Sequence, residues 1–79
     1  MGKAGKALKR VLEDYGISQN RLAVVMGVDR ANVNRWVHEV RDPAAEVVFR
    51  IRQALETIDP AAAEDFVRFY LYKSTEPQE

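Results

Sequence analysis

Between Ser18 and Trp36 the chain reads SQNRLAVVMGVDRANVNRW. Two short helical patterns meet there at a single glycine. Ser18 is a capping residue for the first pattern, with Leu22, Ala23 and Met26 facing inward. Gly27 stops it, because glycine accepts the left-handed backbone that ends a helix at no steric cost. Asp29 caps the second pattern, whose inward residues are Val33, Trp36 and Val37. Ile17 with Leu22, and Val28 with Val33, are placed as hydrophobic staples around the two caps. A chain with these signals has little choice but to fold back sharply at Gly27 and pack two helices across each other.

The flanking segments are also helical. Ala4, Ala7, Leu8, Val11, Leu12 and Tyr15 recur at the spacing of one helix face, and Gly16 follows as a terminator. A polar loop is expected from His38 to Asp42. Asp42-Pro43 then reads as an N-cap followed by a first-turn proline, opening a helix to about Glu56. Its buried stripe is Ala44, Val47, Val48, Ile51 and Leu55, extending toward Ile58. Asp59-Pro60 repeats the start signal for a last helix to about Lys73. No strand pattern is present. The expected fold is all-α, a compact bundle of five short helices in one domain, residues 1–79. Residues 3–58 form a four-helix core with the glycine-turn motif at 18–38, residues 59–73 a C-terminal helix, and residues 74–79 a frayed tail.

Cysteine is absent and His38 is the one histidine, so neither a disulfide nor a metal site is expected, and no cofactor. The amino terminus lacks an apolar signal core and no run reaches membrane-spanning length. A soluble cytoplasmic protein with no membrane partner is expected. Net charge is zero, yet residues 1–41 carry eight Lys and Arg against four acids, and residues 42–79 carry four against eight. The halves are thus +4 and −4, a dipole that orients the molecule on a polyanion without making it adhesive all round. Adjacent carboxylates such as Glu13-Asp14 and Glu64-Asp65 do not share a helix face, and no nucleophile–base pair is present. An enzyme or a small-molecule substrate is therefore not expected.

A helix, a tight glycine turn and a second helix with a polar outer face make a helix-turn-helix, the motif that presents its second helix to the DNA major groove. At about 3.6 residues per turn, Arg30, Ala31, Asn34, Arg35 and His38 lie within an arc of about 140°, opposite Val33, Trp36 and Val37. Arg30 and Arg35 are candidates for guanine, Asn34 for adenine, and Ala31 for a thymine methyl. Ser18 and Gln19, at the positive end of the preceding helix, are candidates for phosphate, with Asn32 at the arc's edge and Arg41 beyond it. Lys6, Lys9 and Arg10 are weaker phosphate candidates.

Gln19, Leu22-Ala23, Gly27-Val28, the cap at 29, Val33, Trp36 and Pro43 together resemble the phage-repressor and Cro-like helix-turn-helix family, the lambda-repressor-like or XRE-type regulators. The resemblance covers about residues 5–58. It implies a sequence-specific double-stranded DNA-binding transcriptional regulator, in which Gln19 braces a base-reading side chain. Three positions depart from the family pattern. Val37 stands where a Glu is common, no Gly occurs near Glu39, and the second cap is Asp29 in place of Ser or Thr. A related version is an antitoxin that binds its operator and a toxin partner. The alternative is a protein-interaction adaptor that keeps the fold with weak or no DNA readout and binds another regulator. The last helix crowds Phe66, Val67, Phe69, Tyr70, Leu71 and Tyr72 around most of its circumference, more than one core contact buries. Phe66, Phe69, Tyr70 and Tyr72 are accordingly candidates for a homodimer surface.

Overall fold

The computed structural model describes residues 3–38 and 43–75, with side chains described for 4–38 and 43–71. Five helices follow one another: α1 (Lys3–Tyr15), α2 (Gln19–Met26), α3 (Arg30–Val37), α4 (Ala45–Ile58) and α5 (Pro60–Thr75). The all-α expectation holds throughout the described residues.

The first two turns share one construction. Gly16 and Gly27 both adopt the left-handed conformation, with φ of 63° and 73°. After Gly16 the Ile17 N–H donates to the Leu12 carbonyl at 2.9 Å, and after Gly27 the Val28 N–H donates to the Ala23 carbonyl at 3.0 Å. These bonds reach back five residues and satisfy carbonyls that a helix end leaves without partners. Each closing residue, Ile17 or Val28, immediately precedes the next cap. The Ser18 Oγ accepts from the Arg21 N–H at 3.0 Å, and the Asp29 Oδ1 accepts from the Ala31 N–H at 3.2 Å. The tripeptides Gly-Ile-Ser and Gly-Val-Asp thus end one helix, seat an apolar anchor and start another.

The start of α4 departs from expectation. Asp42 lies outside the described residues. Pro43 precedes the helix, which begins after Ala44, an extended residue with ψ of 162° and no capping side-chain bond. A proline's fixed φ suits an extended approach as well as a first helical turn, so the Asp-Pro pair left both starts open. Ala44, expected on the buried stripe, is exposed. By contrast, Asp59-Pro60 works as read, with the Asp59 Oδ1 accepting from the Ala61 N–H at 3.1 Å. Both final helices run slightly further than expected, to Ile58 and Thr75, which makes Ser74 and Thr75 helical backbone instead of tail.

The core is one cluster drawn from all five helices. Leu8 and Val11 of α1, Leu22 of α2, Val33 of α3, Ile51 and Leu55 of α4 and Phe66 of α5 are its fully buried large side chains. Helix α5 packs against both α1 and α4, while α1 also backs α3 and α4 backs α2. The α2–α3 pair is therefore supported from two sides, and no other described helix covers its remaining face.

Three polar side chains, Tyr15, Arg10 and Arg50, tie the helices together. The Tyr15 hydroxyl donates to the Asp65 carboxylate at 2.6 Å, joining the end of α1 to α5. That hydrogen bond, then burial, then the negative charges of Asp65 and Asp59 push the phenol pKa up to about 12. Arg10 places its guanidinium 4.4 Å from the Phe69 ring centre and pairs with Asp14 at 3.6 Å. It is thereby directed to α5, away from the phosphate role expected of it. The Arg50 Nη2 of α4 donates to the Met26 carbonyl at 3.2 Å, capping the end of α2.

Candidate nucleic-acid interface

The outer face of α3 follows from its inner one. Val33, Trp36 and Val37 are buried, which turns Arg30, Ala31, Asn34 and Arg35 outward on the opposite side. These four, with Asp29, line one shallow depression. All four sequence-predicted base-reading residues are therefore brought together. Val37, where the resemblance leads to an expectation of Glu, packs into the core with 6% of its surface exposed. Asp29, although acidic and beside the depression, has one carboxylate oxygen committed to capping α3.

Gln19 joins the two helices of the motif. Its Oε1 accepts from the Asn34 Nδ2 at 3.2 Å. The bond orients Asn34: one amide hydrogen is used toward α2, and the other hydrogen and the Oδ1 remain for a ligand. Ser18 is used as a cap, so what it adds to the surface is the exposed amino end of α2 with its positive dipole. A second open depression runs beside that end, lined by Lys9, Glu13, Ser18, Gln19 and His38 among others. Lys9 is the member of the α1 basic set that reaches this side.

Asn32 sits at the flank of α3, half-buried, and its Oδ1 accepts from the Arg35 Nη1 at 3.0 Å. Arg41 lies outside the described residues. Of the expected dimer residues, Phe66 is fully buried, leaving it no surface for a second copy. Phe69 lies under Arg10, and Tyr70 stacks against Phe66 at 6.4 Å; both are half-buried. The Tyr72 side chain lies outside the described residues.

Two contacts that support the motif were not read from the sequence. Arg50 lies 24 residues from Met26, and no local pattern joins an α4 side chain to a carbonyl at the end of α2. The Asn32–Arg35 pair was overlooked although its spacing was available, since residues three apart on a helix are neighbours.

Comparison with known proteins identifies the same motif. The sequence pattern of the helix-turn-helix family matches residues 8–61, from the middle of α1 to the first turn of α5. An HTH-type transcriptional regulatory protein of Methanocaldococcus jannaschii is 36% identical over 52 residues, 66% of this chain. The chain spans 16% of that relative's length. No solved structure matches. No helix among the described residues is long and apolar enough to cross a membrane. With two glycine-closed turns, a polar face on α3 and a matching pattern over most of its length, the chain belongs to the helix-turn-helix family of XRE/Cro/C1-type DNA-binding domains.

Proposed function

We propose that the chain is a sequence-specific regulator of transcription that places α3 in the major groove of double-stranded DNA. The observation that carries this reading is the Gln19–Asn34 hydrogen bond beneath an outward face of Arg30, Ala31, Asn34 and Arg35. An amide held from behind presents one donor and one acceptor, the pair that adenine N7 and N6 require. Arg30 and Arg35 on either side match guanine O6 and N7. The amino end of α2 and Lys9 meet the phosphates and set the register, without reading sequence.

The reading includes a two-fold homodimer, because one recognition helix reaches few base pairs and such motifs pair over half-sites about 34 Å apart. With Phe66 in the core, a dimer surface on α5 falls to Phe69, Tyr70 and the neighbouring exposed Leu71. Sedimentation at tens of micromolar that finds only monomer removes this part of the reading.

The test of the whole is selection from random duplex DNA, then titration of any enriched site by fluorescence anisotropy at several salt concentrations. A palindromic or repeated site is expected. Arg30→Ala and Arg35→Ala are each expected to weaken binding to it by about 1–3 kcal/mol. No enriched sequence, with binding indifferent to both substitutions, points instead to an adaptor that keeps the fold without reading DNA. Exposed apolar side chains such as Val24, Phe49 and Leu71 would then be the surface to probe.

A further inference from the structure

Arg30 and Arg35 are both cations on the outer face of α3, but the structure treats them differently. Arg30 has no side-chain partner among the described residues. Arg35 is held by Asn32 one turn earlier, through the bond from Nη1 to Oδ1 at 3.0 Å. A guanidinium carries donors alone, so the Asn32 amide must turn its oxygen toward Arg35. Nη1 is the nitrogen on the Cδ side of the guanidinium. The opposite edge, formed by Nε and Nη2, is left whole, and that edge is a two-pronged donor of the shape guanine O6 and N7 accept.

We infer that Asn32 is a positioning residue for Arg35: it aims the free edge of the guanidinium and so sets the preference for one guanine, without itself contacting the phosphate. The inference rests on the reading of Arg35 as a base contact. Three features of the pair support it. Asn32 is half-buried on the flank of the helix, so its short side chain is a firm anchor. Arg35 is exposed and has several rotatable bonds, so an unrestrained guanidinium would lose more freedom on binding. Among the described residues no carboxylate pairs with it, and the one that lines the depression, Asp29, caps the helix start.

The test is a double-mutant cycle on the duplex enriched by the wild-type protein, and on duplexes with each guanine of that site replaced in turn. Arg35→Ala is expected to erase the preference for one guanine. Asn32→Ala is expected to reduce that same preference by about three- to tenfold. It should leave affinity for the duplex lacking that guanine nearly unchanged, and cause no further loss in the Arg35→Ala background. Asn32→Asp, which keeps an acceptor, is expected to retain the preference while weakening all duplexes alike by its charge. Circular dichroism confirms that each variant folds.

If Asn32→Ala weakens every duplex by the same factor, or its loss adds fully to that of Arg35→Ala, Asn32 is a phosphate contact and the inference fails. If the protein enriches a site whose base preferences survive Arg35→Ala, the Arg35 assignment and the inference fall together while the regulator stands. If no site is enriched, the proposed function itself fails.

Discussion

At the scale of single residues, Gly27 shows what a left-handed turn requires. Its φ of 73° is a conformation that L side chains resist, yet a Cβ added there would meet no neighbouring atom within 4 Å. Gly27→Ala therefore isolates backbone strain from crowding. It is expected to destabilise the fold by about 1–2 kcal/mol in urea unfolding, and Gly27→Asn by less, since asparagine tolerates the left-handed region. Asp29 is the complementary case. Its carboxylate oxygen serves the α3 amino end, so Asp29→Ala removes a cap and is expected to cost about 1 kcal/mol. Asp29→Ser should restore the cap while removing a negative charge beside the proposed DNA face. Tighter DNA binding at unchanged stability is the expected result of that substitution.

At the scale of elements, α2 and α3 act as a unit because other helices hold them. Arg50 crosses from α4 to the Met26 carbonyl at the far end of α2. Arg50→Ala leaves that carbonyl to water and is expected to cost about 1 kcal/mol by the same unfolding measurement. Helix α5 supports α1 and α4 through Phe66, whose side chain is fully buried. Phe66→Ala opens a cavity where these helices meet and is expected to destabilise by about 3–5 kcal/mol. For a domain of 79 residues that is a large share of the total stability. The same burial corrects the sequence reading of α5. Its crowded aromatics were legible as more than one stripe needs, but not which of them would be taken inside. Phe66 was placed with the candidates for a second copy, and it belongs to the core.

At the scale of the whole molecule, the Tyr15–Asp65 bond ties the two ends of the fold, and it responds to pH. The phenol titrates near 10 when unfolded and at about 12 when folded. The unfolded chain therefore releases this proton first. The contribution is complete below pH 10 and is lost as pH rises toward 12. In paired urea titrations, the stability advantage of the wild type over Tyr15→Phe should shrink across that window. A difference that stays constant with pH would show that the hydroxyl is not the linked group. The +4 and −4 halves act at this scale too. They leave the molecule neutral while keeping the proposed DNA face on the basic side, so binding should weaken steeply with added salt.

Most of the fold and the face of the candidate site were present in the sequence, because their causes are local. Glycine's freedom at 16 and 27, the capping oxygens at 18, 29 and 59, and the apolar period of each helix all act within a few residues. Once Val33, Trp36 and Val37 are turned inward, the outward direction of Arg30, Asn34 and Arg35 follows from helix geometry alone. What depended on distant partners was decided only by the tertiary structure: the start of α4 after Ala44, the assignment of Arg10 to Phe69, the reach of Arg50 to α2 and the disappearance of Phe66 into the core. Each of these is a choice among locally equivalent alternatives. Proline fits two approaches, an arginine can face solvent or a ring, and an aromatic helix has more apolar faces than the core can accept. Local chemistry leaves such alternatives close in energy, and the packing of five helices around one core selects among them.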